Sequence, residues 1–195
     1  NGLFKCISGQ AHIENLGVAD SYIKAAWKDP ASTGNDFAGV IAGKSQWASG
    51  DGILLERCFA DETVTLEATV YAGGLVCFVN EKTTMIDCYS SAYTEGSTKG
   101  GMSSTAWVPN PEETGSILTL IRCFNTRINQ KLVASNVNAT FTDCYTLGPA
   151  EYDGITRPQT AANIRGEEAR KSMPNLDYER TWMIVNPSNL IISGG

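Results

Sequence analysis

The residues that could support a catalytic reaction are few and widely separated in this sequence. His12 is the only histidine among 195 residues, so a serine or cysteine triad could be built only around it. The sequence contains no P-loop, no GxGxxG segment and no GxSxG nucleophile elbow. In the repeat described below, His12 takes the same place as Thr84 and Thr140, which indicates an exposed strand residue. We therefore expect no catalytic residue.

The six cysteines are the second group with chemical potential, because thiolates bind zinc. They lie at positions 6, 58, 77, 88, 123 and 144, so no two of them form a CxxC pair. The carboxylates are scattered and form neither an EF-hand loop nor a calcium-binding nonapeptide repeat. The sequence therefore predicts no metal site and no cofactor.

Four of the cysteines lie in a local pattern that recurs along the chain. Each follows a large apolar residue by three positions and directly precedes an aromatic residue, and a further copy has Leu16 in place of cysteine. The copies are Ile13-Glu14-Asn15-Leu16-Gly17, Leu55-Glu56-Arg57-Cys58-Phe59, Met85-Ile86-Asp87-Cys88-Tyr89, Leu120-Ile121-Arg122-Cys123-Phe124 and Phe141-Thr142-Asp143-Cys144-Tyr145. Five imperfect copies of one pattern predict a repeat architecture.

A second piece recurs upstream of this pattern and consists of glycine followed by apolar residues. It occurs at Gly2, Gly39, Gly74 and Gly101, and Leu132-Val133 takes its place in the fifth unit. Units 1–17, 73–89 and 129–145 align without a gap, whereas the other two units carry insertions. Each unit is thus a pair of short strands joined by a connection of variable length.

Repeated strand pairs of this spacing favour an all-β solenoid. We predict a right-handed parallel β-helix of about five coils over residues 1–149. In such a fold the cysteine position of each coil lies over that of the previous coil, at ~4.8 Å. Cysteine is small and readily buried, so packing explains the pattern. Parallel strands in register rarely give the torsion that a disulfide needs, and we expect free thiols.

Two stretches resemble the GLUG motif, which occurs in repeated arrays in large bacterial secreted and surface proteins. Gly74-Leu75-Val76 with Ile86-Asp87-Cys88-Tyr89 resembles the motif itself, and Gly2-Leu3-Phe4 with residues 13–18 resembles the opening repeat of such arrays. The resemblance covers about residues 1–147, although the second, fourth and fifth units depart from the motif. It implies the solenoid fold and a secreted or cell-surface location in a bacterium, but no particular activity.

Residues 150–195 lack the repeat, and we predict that they connect to the last coil and cap it, within the same domain. Residues 150–165 are polar and indicate a connection, residues 166–173 favour a helix, and residues 181–185 and 190–192 favour strands. This ending resembles the tails that close similar bacterial arrays. Because the end of a solenoid exposes strand edges, we expect Trp182 and Tyr178 in the core of a cap. The uncovered first coil leads us to expect a truncated N-terminus.

An enzyme is an alternative that this fold leaves open, because parallel β-helices include polysaccharide lyases and glycoside hydrolases. Their sites use carboxylate clusters on one face of adjacent coils. Here the column before the cysteine position reads Asn15, Arg57, Asp87, Arg122 and Asp143. Alternating charges of this kind are typical of salt pairing on a solvated face. We therefore expect a non-catalytic protein.

The insertions offer the better candidates for ligand binding. Both long connections leave the same corner of the predicted solenoid, one with Trp47 and the other with Trp107. These loops are about two strand spacings apart, or ~10 Å, and aromatic rings at that distance can stack on sugar rings. Trp27 and Tyr93 are further candidates of the same kind. The alternative is that each tryptophan folds back to cover its own loop.

Charge and hydropathy narrow the choice of partner. A net charge of −6 disfavours nucleic acid and anionic membranes, and no apolar run is long enough for membrane insertion. We predict a non-catalytic secreted or cell-surface module for adhesion or carbohydrate binding. Its partners would be a glycan, such as a host or cell-surface polysaccharide, and neighbouring domains of the same parent chain. The alternatives are a structural spacer of a multidomain surface protein and a polysaccharide lyase or glycoside hydrolase.

Overall fold

The structure is a computed structural model that describes residues 1–25, 36–46, 51–106, 117–136, 138–158, 160–186 and 189–192. These residues are mostly β-strand. The strands are short, and several of them, such as Ile53–Glu56 and Thr83–Ile86, alternate between buried and partly exposed positions. The helical segments among the described residues lie near the C-terminus.

The strands fall into five groups that follow the five sequence repeats. The first group is β1 (Phe4–Ser8), β2 (His12–Glu14), β3 (Gly17–Val18) and β4 (Tyr22–Ala25). The second group is β5 (Phe37–Gly39), β6 (Ala42–Gln46), β7 (Ile53–Glu56), β8 (Phe59–Ala60) and β9 (Thr65–Ala68). The third is β10 (Tyr71–Gly73), β11 (Val76–Val79), β12 (Thr83–Ile86), β13 (Tyr89–Ser90) and β14 (Tyr93–Glu95). The fourth group is β15 (Thr98–Ala106), β16 (Leu118–Ile121) and β17 (Phe124–Asn125). The fifth group is β18 (Lys131–Asn136), β19 (Ala139–Thr142) and β20 (Cys144–Thr146).

Strands at equivalent places of successive repeats pair with one another in parallel. One sheet has the order β2, β7, β12, β16, β19, a second β3, β8, β13, β17, β20, and a third β4, β9, β14. The largest sheet contains β1, β6, β11, β15 and β18, and the continuous strand β15 also joins β10 and β5 to it. The predicted all-β architecture with parallel, repeat-like pairing is therefore confirmed.

The repeated apolar and cysteine positions form the core. Leu55, Met85 and Leu120 lie directly opposite one another in neighbouring strands and are fully buried. The four repeat cysteines, Cys58, Cys88, Cys123 and Cys144, are also fully buried. Each of their thiols lies within hydrogen-bonding distance of a carbonyl oxygen of the preceding repeat, for example Cys123 Sγ at 3.3 Å from Met85 O. The predicted packing role of the repeat cysteines is confirmed.

The residue before each cysteine position has a left-handed backbone conformation. The φ angles are 55° at Asn15, 50° at Arg57, 52° at Asp87, 50° at Arg122 and 52° at Asp143. This conformation costs an ordinary L-residue roughly 1–2 kcal/mol, and Asn and Asp tolerate it best. The backbone bends there, and each repeat passes from its second to its third strand. The same left-handed turn therefore recurs in every repeat.

Salt pairing within this column is confirmed for Arg122 and Asp87, although Asp87 is buried rather than on a solvated face, whereas Arg57 bonds to the neutral Asn15. Arg57 Nε donates to Asn15 Oδ1 at 2.8 Å, and Arg122 donates to both carboxylate oxygens of Asp87 at 2.7 Å. Asp143, at the end of the column, accepts a hydrogen bond from Nδ2 of Asn175. The column thus ends on a contact with the C-terminal segment.

The register corrects the predicted glycine alignment. Gly39 lies opposite Gly73, and Gly73 lies opposite Gly100, so the match of Gly39 with Gly74 was wrong by one residue. A Cβ atom at Gly39 would lie 2.1 Å from Ala42 O, and one at Gly100 would lie 1.9 Å from Ser103 O. The backbone folds back on itself at this column, which therefore requires glycine. The alignment of unit 129–145 is also shifted by one residue in β18, because Thr105 lies opposite both Phe78 and Ser135, whereas the alignment matched Phe78 with Ala134.

The C-terminal segment packs on an aromatic column beside the core. The rings of Phe59, Tyr89 and Phe124, which follow the cysteines, stack at 5.1 and 5.2 Å between centroids. Trp182 is buried and packs against Tyr89 and Phe124. The predicted helix is present as α1 (Gly166–Ser172), after a 3₁₀ turn at Ala161–Ile164, and β22 (Trp182–Asn186) pairs with β23 (Asn189–Ile192) as an antiparallel hairpin. Trp182 thus lies in a core, as predicted, on the flank of the third and fourth repeats.

The connection predicted at residues 150–165 contains a strand that the sequence did not indicate. This strand, β21 (Ile155–Thr156), pairs in parallel with β20 and extends its sheet. Beside it, the ring of Tyr152 stacks on Phe141 of the last repeat at 5.6 Å. A strand of two residues has no periodicity of its own, and pairing with β20 is what makes it a strand.

Candidate functional site

Of the four residues predicted to bind a ligand, the structure describes Tyr93. Trp27, Trp47 and Trp107 lie outside the described residues. Tyr93 lies on β14 and is 47% exposed. Its surroundings on the third sheet, β4–β9–β14, are therefore the part of the predicted site that can be built from contacts.

The outer face of this sheet carries two rows of side chains. Thr65 of β9 lies opposite both Tyr22 and Tyr93, which gives a row of tyrosine, threonine and tyrosine. Two residues further along each strand lies a second row, formed by Lys24, Glu67 and Glu95. The residues between the rows point the other way, and Leu66 and Thr94 are fully buried. The alternation of a half-buried strand thus turns both rows towards solvent.

Hydrogen bonds fix the hydroxyl groups of both tyrosines. The hydroxyl of Tyr93 donates to Glu95 Oε2 at 2.6 Å, and that of Tyr22 donates to Glu67 Oε2 at 2.6 Å. Each acceptor belongs to the second row, about 6.6 Å further along the strand direction. Both tyrosines remain accessible to solvent, since Tyr22 is 60% exposed.

The same contacts define the charge states of the face. The hydrogen bond to Glu67 raises the pKa of Tyr22, and the hydrogen bond to Glu95 raises the pKa of Tyr93. The hydrogen bonds from Tyr22 and Lys24 lower the pKa of Glu67. At neutral pH both hydroxyls are therefore neutral donors and Glu67 is a carboxylate. Lys24 lies 3.1 Å from Glu67, and Lys99 of β15 lies 3.9 Å from Glu95, so each carboxylate of the face has a lysine nearby.

This arrangement offers two kinds of contact to a ligand. The two exposed tyrosine rings suit flat apolar surfaces, such as the C–H faces of sugar rings. The carboxylates of Glu67 and Glu95 each accept one tyrosine hydroxyl and keep further lone pairs for ligand hydroxyl groups. The face is chemically suited to binding a polar molecule that has flat apolar patches.

The sequence reading missed Tyr22, Lys24, Glu67 and Glu95 because it counted two strands in each repeat. The strands β4, β9 and β14, which follow the cysteine position, contain Tyr22-Ile23-Lys24, Thr65-Leu66-Glu67 and Tyr93-Thr94-Glu95. They begin six, seven and five residues after the cysteine position of their repeats. This variation of up to two residues removes them from a gapless alignment. The common order of hydroxyl residue, inward residue and charged residue is the signal that could have identified them.

One group of described side chains could supply three metal ligands, although the sequence led us to expect no metal site. The ligand atoms of His12, Glu14 and Glu56 all lie within 4.8 Å of one another. Glu14 and Glu56 are opposite each other in β2 and β7, and Arg57 donates to both at 2.9 Å. Two like charges in register are unfavourable, and the Arg57 guanidinium offsets them. Ion pairing therefore accounts for this exposed group.

The functional evidence comes from this geometry. Comparison of the chain with protein-family models, with curated proteins and with solved structures found no match. Within the described part of the chain, no helix has the length and apolar character needed to cross a membrane.

Proposed function

We propose that the chain is a right-handed parallel β-helix of about five coils that acts as a non-catalytic carbohydrate-binding module in adhesion. The recurrence of parallel strands in register over five repeats supports the solenoid. Right-handed crossovers between parallel strands are the rule in proteins, which supports the hand. The resemblance of the repeats to the GLUG motif supports a secreted or cell-surface location in a bacterium.

The observation that carries the binding function is the pair of exposed tyrosine rings on the β4–β9–β14 face. The hydroxyl groups of Tyr22 and Tyr93 are each fixed by a carboxylate, and each carboxylate also lies near a lysine. Fixed aromatic rings lose little conformational entropy when a ligand covers them. Sugar rings combine apolar faces with peripheral hydroxyl groups, and the two rows match both properties.

The contacts of Glu67 do not suit the general acid of a glycoside hydrolase. Such an enzyme needs a carboxylic acid whose pKa is raised, so that it can protonate the leaving group. The pKa of Glu67 is instead lowered by the hydrogen bonds from Tyr22 and Lys24. Its carboxylate suits acceptance of hydrogen bonds from the hydroxyl groups of a bound sugar.

A glycan array followed by isothermal titration calorimetry tests the proposal. We expect binding of at least one glycan, and loss of about tenfold or more in affinity for each of Tyr22→Ala and Tyr93→Ala. Phe4→Ala is the matched control, because Phe4 is 46% exposed and lies on a different sheet. Its affinity and melting temperature should equal those of the parent. Absence of glycan binding would favour the spacer alternative, and release of shortened sugar products would favour an enzyme.

A further inference from the structure

We propose that the β4–β9–β14 face binds an extended, uncharged, β-linked polysaccharide that runs across the strands from the first repeat to the third. This inference rests on the proposed function and names the class of its ligand. It also assigns a direction to the bound chain, along the line from Tyr22 over Thr65 to Tyr93.

The spacing of the two rings carries the first step. Tyr22 and Tyr93 both lie opposite Thr65, so their strands are two strand spacings apart, or ~10 Å. In an extended chain of β-linked hexoses, alternate sugar rings present the same face and recur at nearly this distance. Thr65 is smaller than tyrosine and leaves room for the sugar between them. The two tyrosines would therefore stack on two sugar rings that are separated by one further ring.

The shape of the face carries the second step. The three strands are parallel and in register, so the Cα positions of Tyr22, Thr65 and Tyr93 lie on one line across the sheet. An extended chain follows such a line and can contact both rings at once. An α-linked chain of the amylose type curves into a helix and would leave one of the rings. The geometry therefore selects for linkage as well as for sugar type.

The second row supplies the remaining selectivity. Glu67 and Glu95 lie beside the aromatic line, where the hydroxyl groups along one edge of a bound chain would lie. The nearby cations, Lys24 and Lys99, are already paired with these carboxylates. Among the described residues, Arg127 is a further cation near Tyr93, and its Nε and Nη2 already donate to the carbonyl oxygens of Ser91 and Glu62. An acidic polysaccharide would therefore bring its carboxylates mainly against the two glutamates. The face therefore favours uncharged chains.

The length of the face sets the length of the ligand. Three strands and two tyrosines cover about three sugar residues, because each strand spacing matches roughly one residue of an extended chain. We expect affinity to rise by about tenfold or more from the disaccharide to the trisaccharide, when the second tyrosine is engaged. Beyond four residues the affinity should reach a plateau.

Calorimetry with defined oligosaccharides tests this inference. The probes are β-1,4-linked glucose and N-acetylglucosamine oligomers of two to six residues, with α-1,4-linked glucose oligomers and polygalacturonate as comparisons. The key variant moves one ring by one strand, with Tyr93→Thr combined with Thr65→Tyr. This variant keeps the composition of the row. Its affinity should no longer increase from the disaccharide to the trisaccharide.

The outcomes separate the two proposals. Preference of the parent for β-linked oligomers of three residues or more, abolished in the double variant, supports the inference. If the parent binds α-linked oligomers or polygalacturonate as tightly as β-linked oligomers, or more tightly, the inference is wrong. If this binding still depends on Tyr22 and Tyr93, the proposed function stands. If no glycan on the array or in this series binds through the two tyrosines, both proposals fail.

Discussion

The guanidinium of Arg122 forms two parallel hydrogen bonds with the carboxylate of Asp87, from Nε to Oδ1 and from Nη2 to Oδ2, each 2.7 Å long. The two residues occupy the same left-handed position in the third and fourth repeats. The Asp87 side chain is 5% exposed and the Arg122 side chain 32%. This contact joins two repeats at the turn that both must make, and it raises the pKa of Arg122.

A double-mutant cycle measures this contact. We expect Asp87→Ala to lower the free energy of unfolding by about 2–4 kcal/mol, because it removes the partner of Arg122 and places alanine in a left-handed conformation. Asp87→Asn should cost less, because asparagine tolerates that conformation. With Arg122→Ala as the second arm, urea unfolding should give a coupling energy of about 1–3 kcal/mol. A coupling energy near zero would contradict the assigned role of the pair.

The cysteine core gives a prediction for single substitutions. Cys88 is fully buried between Cys58 and Cys123 in the column. Cys88→Ala should cost about 1–2 kcal/mol of unfolding free energy, because it removes one small buried group. Cys88→Asp should cost several kcal/mol or prevent folding, because it buries a charge. A Cys88→Asp variant with the parent's melting temperature would show that this side chain faces solvent.

Thiol labelling tests the state of the six cysteines, all of which are free thiols in the structure. Burial raises the pKa of Cys88, Cys123 and Cys144 well above its ordinary value, and that of Cys77 to about 12. Native protein should therefore react rapidly at the partly exposed Cys6 and slowly at these four. In denatured, unreduced protein, close to six thiols per chain should react with the label. Two or more linked pairs would refute the packing explanation.

Trp182 tests the attachment of the C-terminal segment. Its indole is buried against Tyr89 and Phe124, and its Nε1 has no hydrogen-bond partner among the described residues. Trp182→Ala should lower stability by about 3–5 kcal/mol. Trp182→Phe should lower it by less than about 1.5 kcal/mol, because the smaller ring also removes a buried unpaired N–H group. Equal effects of the two variants in urea unfolding would show that ring packing does not hold the segment.

The β4–β9–β14 face predicts how glycan binding depends on pH. The pKa of Glu67 is lower in the folded protein than its ordinary value of 4.5, so folded protein binds fewer protons there. The Tyr22–Glu67 contact is therefore fully present above pH 4.5 and is lost as the pH falls through the lower folded-state pKa. Affinity measured by calorimetry should be constant from about pH 5 to 8 and fall only below the ordinary value. A midpoint above pH 5.5 would contradict a carboxylate acceptor at Glu67.

The parallel sheets could be predicted from the sequence because the core positions recur with the same residue types in every repeat. Leu55, Met85 and Leu120 must be apolar to fill the interior, and the cysteines three residues later must be small. These constraints act at the same place in every repeat and survive insertions between repeats. The glycine alignment failed by one residue because Gly73-Gly74 and Gly100-Gly101 each offer two glycines, and the backbone approach that distinguishes them is tertiary.

The tyrosine face could not be predicted in the same way. Tyr93 was a candidate because exposed aromatic residues are unusual, but its partner Tyr22 is 71 positions away in a strand with no cysteine to mark it. Surface residues have no packing constraint that repeats along the chain, so their alignment cannot be inferred from pattern. Their juxtaposition follows from the register of β4, β9 and β14, and only the assembled sheet contains that register.

The sequence by itself determined the all-β repeat, the buried cysteine column and the C-terminal helix, because local periodicity or composition indicates each of them. The tertiary structure decided which glycine of a pair lies in the tight bend, where the C-terminal segment packs, and which side chains meet on the β4–β9–β14 face. The physical reason is that burial constrains residue type at every repeat, whereas contacts between repeats depend on the lengths of the connections. A change of one residue in a connection moves a surface side chain to another neighbour while the core pattern stays the same.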